Sequence, residues 1–384
     1  MKIGISGCGI AGTAAALLLA KAGHQVHVFE QAPECQSIGS GILISPQGQR
    51  MLQRLDLLQQ IAETAEPLTG IQAQTNMGRN LVRMDYQWLD KSLFGLGVHR
   101  GVLFSKLLES AVQQGVEVTN GFRVESVESD PQSTRLLGTD GSVSESFDFI
   151  IAADGTRSAI REQLEPSAKT IRYDHAALWT TAPCQHQPKR LLQVVQGTER
   201  LLGLLPIGNG HSSFFWGLPT DGLAALKQRG FPAWREQVEE LFPQAASIFD
   251  TINSFQQLTF AAYQHVKMKR WCFERVIFLG DAAHACSPHL GQGVNMALED
   301  VVCFCDALQQ LGDFPAACDQ YIKQRSRKLR YYQSLTRMIS PFFQSNGKIR
   351  GWGRNIFLPW MPRTPYVRRQ MLRTLCGFKN GWLS

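Results

Sequence analysis

The chain has 384 residues, of which 44% are hydrophobic and 18% are charged, so it can bury a large core and lacks the composition of a disordered protein. No apolar run is long enough to span a bilayer, no signal peptide precedes the first strand-like segment, and the nine cysteines have no paired spacing, which together predict a cytoplasmic protein with free thiols. The net charge of +7 is uneven, because residues 320–384 contain fourteen Lys and Arg and no Asp or Glu, which leaves residues 1–319 with 25 basic and 32 acidic groups.

Hydrophobic periodicity in the first half of the chain predicts a βαβ unit followed by further helices and strands. The predicted elements are a strand at 2–6, a helix at 10–22, a strand at 25–30, a helix at 46–57 that begins at Pro46, a hairpin at 69–87, a helix at 102–114 and short strands between 116 and 152.

The pattern changes in the second half of the chain. Between about 170 and 265, strand-like runs separated by Gly and Asn turns predict an inserted sheet, with helices near 220–250. A buried strand is predicted at 275–279, and helices are predicted over most of 291–338.

A glycine motif lies between the first predicted strand and helix. Gly7, Gly9 and Gly12 form the pattern G-x-G-x-x-G, in which the first glycine permits a tight turn, the second lets the backbone approach a pyrophosphate and the third lets the helix pack on the strand. Glu30 ends the next strand, where a carboxylate can bind the ribose hydroxyls of an adenosine. The motif predicts a bound dinucleotide, but it does not distinguish NAD from FAD.

A second motif, at Gly280–Asn295, indicates FAD. Asp281 follows a predicted buried strand, where its carboxylate can bind ribityl hydroxyls. Gly291 and Gly293 begin a helix whose unpaired N–H groups can face the pyrimidine end of a flavin and stabilise its anionic reduced form.

These motifs carry a resemblance to a known family, together with a third one, Asp154-Gly155-Thr156-Arg157-Ser158-Ala159-Ile160-Arg161, which matches the pattern D-G-x-x-S-x-x-R. Over about residues 1–330 the chain resembles the group A FAD-dependent monooxygenases, the para-hydroxybenzoate hydroxylase-like family of aromatic-ring hydroxylases. The resemblance implies hydroxylation of an aromatic or electron-rich small molecule with O2 and either NADH or NADPH, through a C4a-hydroperoxyflavin.

Two other interpretations stay open. One is a different flavin oxidoreductase on the same fold, such as a prenyl-chain reductase or a halogenase, although the halogenase signature W-x-W-x-I-P is absent from the sequence. The other is a non-catalytic, flavin-bound accessory subunit.

The expected fold is α/β, with a doubly wound, Rossmann-like FAD/NAD(P)-binding domain, an inserted β-sheet substrate layer and C-terminal helices. We expect three units: an FAD-binding domain from residues 1–170 and 266–311, a substrate-binding sheet layer from 171–265 and a basic helical region from 312–384. The sequence indicates no oligomeric state.

The resemblance also implies a set of cofactor contacts. Those on the AMP side are Gly7, Gly9, Ile10, Ala11, Gly12, Glu30 and Gln31, the last standing where many family members have Arg. The others are Gly41, Ile42, Arg100, Val124, Asp154, Gly155, Gly280, Asp281, Pro288, Gly291, Gly293, Val294 and Asn295. Pro288 and His289 are candidates for the substrate pocket, and no general base can be identified.

His284, Cys286 and His289 are not predicted to hold a metal, because the flavin motif already explains their segment. His284 is interpreted as a structural histidine after the Gly-Asp turn, with a flavin contact as the alternative. Phe214, Phe215 and Trp216 are expected to pack in the core rather than to line a pocket.

The basic C-terminal region interleaves cations with aromatic residues, namely Trp352, Phe357, Trp360, Tyr366 and Trp382. This pattern is compatible with peripheral contact to an anionic membrane surface. The alternative, which we favour, is that the region wraps the acidic body through salt bridges and aromatic packing. No nucleic-acid recognition module is visible, so we expect no nucleic-acid partner.

Overall fold

The computed structural model describes residues 1–35, 39–345 and 347–382. The strands, numbered in chain order, are β1 (Lys2–Ser6), β2 (Gln25–Glu30), β3 (Gly41–Ile44), β4 (Glu66–Leu68), β5 (Gly70–Thr75), β6 (Asn80–Asp85), β7 (Gly95–His99), β8 (Glu117–Asn120), β9 (Val124–Ser129), β10 (Thr134–Gly138), β11 (Phe149–Ala152), β12 (Lys169–Pro183), β13 (Arg190–Gln196), β14 (Arg200–Gly208), β15 (His211–Pro219), β16 (Thr259–Lys267), β17 (Cys272–Phe273) and β18 (Val276–Phe278).

The helices, numbered in the same way, are α1 (Ile10–Lys21), α2 (Pro46–Arg54), α3 (Leu58–Ala62), α4 (Arg100–Gln113), α5 (Ala159–Leu164), α6 (Leu223–Arg229), α7 (Phe231–Leu241), α8 (Asp281–His284), α9 (Gly293–Leu311), α10 (Phe314–Phe343), α11 (Lys348–Phe357) and α12 (Pro365–Leu375). Among these, no helix combines the length and the apolar composition needed to cross a bilayer.

The first sheet has six strands in the order β17-β18-β11-β1-β2-β8, all parallel except β17. Ile5 of β1 pairs with Val28 on one side and Ile151 on the other, and each of these side chains is buried. The helix α1 joins β1 to β2 and packs against α4 and α9. This arrangement confirms the predicted βαβ unit, and it brings the carboxyl ends of β1, β2, β11 and β18 to one edge of the sheet.

The second sheet has seven strands in the order β16-β12-β15-β14-β13-β5-β6. The hairpin predicted at 69–87 is present as β5 and β6, and β5 pairs in parallel with β13, Gly70 lying opposite Arg190. The sheet therefore draws strands from before residue 171, outside the segment predicted to form it. Sequence periodicity finds a hairpin but gives no sign of the distant strand beside which it pairs.

The predicted helix at 46–57 is interrupted. The helix α2 ends at Arg54, and Asp56 adopts a left-handed backbone conformation with φ of 61° before α3 begins at Leu58. Non-glycine residues rarely adopt this conformation, and Asp is among the side chains that tolerate it best.

Candidate active site

A cavity of about 1910 Å³ runs from the carboxyl edge of the first sheet to the inner face of the second sheet and the helices α10–α12. Pockets that hold one small ligand usually enclose about 300–1,000 Å³. The cavity is therefore large enough for a dinucleotide and a second ligand. We call it the active-site cavity.

The glycine motif shapes one end of this cavity. Gly7 has a φ of 102°, and a Cβ on Gly12 would lie 1.9 Å from the carbonyl oxygen of Gly7, so the turn and α1 pack without room for side chains. A Cβ on Gly9 would meet no atom within 4 Å, because Gly9 faces the cavity. The N-terminus of α1 has no side-chain cap and no acidic residue in its first turn, so its N–H groups and partial positive charge are open to an anion.

Glu30 stands beside this turn at the end of β2. Its carboxylate accepts hydrogen bonds from the backbone N–H of Cys8 and of Ala32, both at 2.9 Å. Each carboxylate oxygen keeps further acceptor capacity, and both Glu30 and Gln31 line the cavity. The carboxylate is thus held in a fixed position at the edge of the cavity.

The second motif, at Gly280–Asn295, forms the middle of the cavity. Asp281 lines the cavity and its side chain is accessible from it. The surrounding protein nevertheless raises the pKa of the Asp281 carboxyl group by desolvation, and the charges of His284 and Arg100 oppose that rise. The N-terminus of α9 also opens here without a side-chain cap, since Gly291, Gly293 and Val294 line the cavity. Two uncapped helix N-termini therefore face one cavity.

A buried ionic cluster supports the turn that presents Asp281. Asp300 on α9 accepts hydrogen bonds from the backbone N–H of Gly280 at 3.2 Å and from Arg325 Nε at 2.8 Å, and its Oδ2 lies 2.5 Å from His284 Nε2. Burial alone would raise the pKa of Asp300, but the charges of His284 and Arg325 outweigh it and lower that pKa. His284 is therefore a structural residue, as its position after the Gly-Asp turn indicated.

The Asp154 motif ties two other segments together. The buried Arg161 guanidinium donates to the carbonyl oxygens of Thr156 at 2.7 Å and of Ala282 at 2.8 Å, so it joins this motif to the turn at Asp281. Burial raises the pKa of Asp154 to about 6. Asp154 and Gly155 do not line the cavity, whereas their neighbour Thr156 does.

The structure brings most of the predicted contact residues to the cavity wall. Those that line it are Gly9, Ile10, Glu30, Gln31, Gly41, Ile42, Arg100, Asp281, Pro288, His289, Gly291, Gly293 and Val294. Those that do not line it are Gly7, Ala11, Gly12, Val124, Asp154, Gly155, Gly280 and Asn295.

Two of the residues that do not line the cavity, Val124 and Asn295, contact other parts of the fold. Val124 begins β9, pairs with Gly138 and packs on the core. The Asn295 side chain is committed to the backbone, because it accepts from Ser45 N–H and donates to the carbonyl oxygens of Leu43 and Gly291. It clamps the end of β3 to the start of α9, although its backbone N–H still belongs to the first turn of that helix.

The far end of the cavity is mainly apolar. This apolar chamber lies between the second sheet and helices α10 and α11, and it is lined by Trp179, Leu201, Leu205, Phe215 and Phe343. Phe214 and Trp216 point to the opposite face of β15 and are buried, as expected, in a cluster with Trp234, whereas Phe215 lines the chamber, contrary to the core position expected for it. Alternation along the strand could have separated Phe215 from its neighbours.

His289 lies at the junction of the flavin-facing segment and the apolar chamber. Its Nδ1 is 2.8 Å from Ser287 Oγ, which is 2.8 Å from Ser340 Oγ, and Ser340 donates in turn to the carbonyl oxygen of Thr336. Because each hydroxyl has one proton, this chain is satisfied when Nδ1 carries the hydrogen and Nε2 is the bare acceptor. Nε2 has no protein partner among the described residues.

Burial, aided by the nearby His175, lowers the pKa of His289 to about 4, and the Gln344 side chain opposes part of that shift. The imidazole is therefore neutral at physiological pH, and its Nε2 is a hydrogen-bond acceptor rather than a base strong enough to deprotonate a ring hydroxyl. His284 pairs with Asp300 and His289 with Ser287, so these two histidines have separate partners.

A family model described as an FAD binding domain matches residues 1–327. The chain belongs to this FAD-binding family. It is 26% identical over 376 residues to 2-heptyl-3-hydroxy-4(1H)-quinolone synthase of Pseudomonas aeruginosa, with 94% of each chain covered. It is 26% identical over 408 residues to 3-hydroxybenzoate 6-hydroxylase of Polaromonas naphthalenivorans, with 98% of this chain and 96% of the relative covered.

The fold is also shared with a solved structure of Klebsiella pneumoniae HpxO complexed with FAD and uric acid. The TM-score is 0.83 at 23% identity, and 100% of this chain and 98% of that chain are covered. Together with the family match, these likenesses confirm the predicted fold class, the group A resemblance, the FAD cofactor and the NAD(P)H-dependent monooxygenase reaction on a small molecule. They do not favour a reductase, a halogenase or an accessory subunit.

Proposed function

We propose that this FAD-dependent monooxygenase hydroxylates an aromatic or heteroaromatic ring that already bears a hydroxyl group or its tautomeric carbonyl. The observation that carries the proposal is the continuity of the active-site cavity, which joins the dinucleotide end, two uncapped helix N-termini and the apolar chamber. Bound FAD supplies the redox chemistry, taking electrons from NADH or NADPH and activating O2.

The residues at the dinucleotide end fit FAD. The open space at Gly9 and the N-terminus of α1 would hold the pyrophosphate, and the fixed carboxylate of Glu30 would hold the adenosine ribose. The carboxylate of Asp281 would bind the ribityl hydroxyls. The N-terminus of α9 would stabilise negative charge on the pyrimidine ring of the flavin.

The apolar chamber suits a ring substrate, since its walls are mainly aromatic and aliphatic. The product of the Pseudomonas relative is a quinolone with a heptyl chain, and the Polaromonas relative acts on 3-hydroxybenzoate. In this chain, His289 Nε2 would accept a hydrogen bond from the ring hydroxyl, which orients the hydroxyl and leaves more electron density on the ring.

The proposal is tested by incubating purified, FAD-loaded protein with NADH or NADPH under ¹⁸O2 and a panel of hydroxylated aromatic and heteroaromatic compounds. We expect substrate-dependent consumption of the reduced nicotinamide and a product heavier by one ¹⁸O atom. Nicotinamide consumption that depends on a ring compound but never inserts oxygen into it would refute the hydroxylase assignment.

We further propose that the outer surface of α11 and α12 contacts an anionic membrane. Trp352 on α11 and Trp360, just after that helix, are 68% and 60% exposed and do not line the cavity, and the exposed Arg363 and Arg369 form no salt bridge with the described residues. Co-sedimentation with vesicles containing phosphatidylglycerol should be strong at low salt and should weaken in the double variant Trp352→Ala/Trp360→Ala. Equal sedimentation with purely zwitterionic vesicles would contradict the electrostatic part of the proposal.

A further inference from the structure

The helix α11 has an amino-acid sequence that disfavours an isolated helix. Its ten residues, KIRGWGRNIF, include two interior glycines, three basic residues and no acidic one. Arg350 falls in its first turn, where positive charge opposes the helix dipole, and Arg350 and Arg354 are like charges spaced four residues apart. Such local conflict is typical of segments whose sequence serves a ligand rather than stability.

Arg354 is buried without a counter-charge. Its side chain is 3% exposed, and no acidic side chain of the described residues forms a salt bridge with it. Nε and Nη2 both donate to Asn355 Oδ1, at 3.0 and 2.8 Å, and Nη1 donates to the carbonyl oxygen of Phe342 at 2.9 Å. A guanidinium has five N–H donors, so two of them lack a partner among the described residues.

The electrostatic surroundings of Arg354 differ from those of the other buried arginines described above. Arg325 pairs with Glu299 and Asp300, and Arg161 lies near Asp154. For Arg354, burial lowers the pKa to about 10 and no neighbouring carboxylate opposes that effect. A buried charge without a partner is costly, which indicates that a partner binds there.

Arg354 lines the apolar chamber at a short distance from His289. Its guanidinium carbon lies 5.7 Å from the centre of the Phe343 ring, and that ring lies 6.3 Å from the ring of His289. Gly351 allows α11 to pack closely on the second sheet, because a Cβ there would lie 3.0 Å from Thr198 Cγ2, a tight contact. One aromatic ring therefore separates His289 from the buried cation.

We propose that Arg354 is a substrate-binding residue that pairs with an oxyanion, a carboxylate in particular, on the same molecule whose ring hydroxyl faces His289. The inference rests on the proposed hydroxylase function and specifies its substrate class as an aromatic compound with an apolar body and one anionic group. A carboxylate accepts two parallel hydrogen bonds from a guanidinium, which matches the two unused N–H donors of Arg354. The phosphates of NADH or NADPH are another source of oxyanions, and the experiment distinguishes them from the substrate.

The experiment uses the FAD-loaded enzyme and matched pairs of probes, each an aromatic or aliphatic carboxylate with its neutral alcohol: 3-hydroxybenzoate with 3-hydroxybenzyl alcohol, 2-naphthoate with 2-naphthalenemethanol, and decanoate with decanol. Binding is followed by the change in flavin absorbance without turnover. We expect the wild type to prefer at least one carboxylate to its alcohol. Arg354→Gln should weaken that carboxylate about 10- to 100-fold and leave the alcohol within about threefold, and Arg354→Lys should restore part of the loss.

The control is Arg369→Gln, which removes an exposed cation from α12 that does not line the cavity. We expect it to change neither binding constant. Hydrogen exchange of residues 348–357 should slow when the preferred carboxylate binds to the wild type but not to Arg354→Gln, because the ligand supplies the missing counter-charge.

Four results would overturn the proposal. The first is a wild type that binds no carboxylate of the panel more tightly than its alcohol, and the second is an Arg354→Gln variant that loses affinity for carboxylate and alcohol equally. The third is an Arg369→Gln variant that loses as much carboxylate affinity as Arg354→Gln. The fourth is an Arg354→Gln variant whose only defect is weaker binding of NADH or NADPH. The last of these would assign the cation to the nicotinamide phosphates. Since binding is measured without turnover, these results are independent of whether oxygen is inserted into any probe.

Discussion

Replacing Asp300 by Asn should destabilise the protein strongly. The carboxylate joins Arg325, His284 and the N–H of Gly280, and both Asp300 and Arg325 are almost fully buried. An amide has only one oxygen for these three partners, and its NH2 group would face a donor. Removing one partner of a buried ion pair usually costs about 3–5 kcal/mol. We expect about 3 kcal/mol, because Glu299 still pairs with Arg325 at 2.8 Å.

Asp306→Asn is the matched control on the same helix. Asp306 pairs with Arg54 at 2.5 Å, but the two side chains are 35% and 57% exposed, so its loss should cost less than about 1 kcal/mol. The free energies of unfolding of the two variants are compared by urea unfolding at pH 7, followed by tryptophan fluorescence. The comparison holds when the slope of free energy against denaturant is unchanged. If Asp300→Asn costs no more than Asp306→Asn, the buried cluster does not hold the Gly280 turn as we infer.

The pH dependence of this prediction has a definite sign. Since the folded-state pKa of Asp300 lies below its ordinary value of 3.8, the carboxylate contributes stability above that value and loses it as the pH falls through the folded-state pKa. The difference in stability between wild type and Asp300→Asn should therefore be full at pH 7 and should shrink below about pH 4. A difference that grows on acidification would contradict the assignment of Asp300 as the charged partner.

Two further predictions concern the cavity. Asp281→Ala should weaken FAD binding by about 10- to 100-fold, measured as flavin released on dilution and gel filtration. Val124→Ala should retain its FAD, because the Val124 side chain does not line the cavity and the substitution leaves the backbone in place; equal retention by both variants would remove Asp281 from the proposed site. His289→Leu should lower the rate of hydroxylation by about 10-fold, through the loss of one hydrogen bond to the ring hydroxyl, while the rate of flavin reduction by NADH or NADPH stays within a few-fold. With a folded-state pKa of about 4, His289 should not limit the wild-type rate between pH 6 and 8; an inflection in that range that is present in the wild type and absent from His289→Leu would contradict this expectation.

Sequence analysis predicted the parts of the site whose chemistry depends on local spacing. The tight turn at Gly7, the packing at Gly12 and the uncapped start of α1 all follow from six consecutive residues and the elements that flank them. Their order in the chain determines their geometry, so a motif suffices. The motif at Asp281 is of the same kind, because one strand, one turn and one helix place it.

The parts that could not be predicted depend on how distant segments pack. Arg325 meets Asp300 across two helices, and neither residue belongs to a recognisable pattern. The hairpin β5–β6 was visible as a hairpin, but its place beside β13 was not.

The basic C-terminal region divides into cations with different physical roles. The interpretation that it wraps the acidic body holds for Arg325 and Lys328, whose partners Asp300 and Glu299 are on α9. It does not extend to Arg354, which is equally buried but has no acid beside it in the described part of the chain. An acid beside a buried cation offsets its desolvation, whereas the neutral hydrogen-bond partners of Arg354 offset it only in part and a bound anion would offset the rest. A region uniform in charge by sequence thus contains both the support of the flavin turn and, by our inference, the anion site of the substrate.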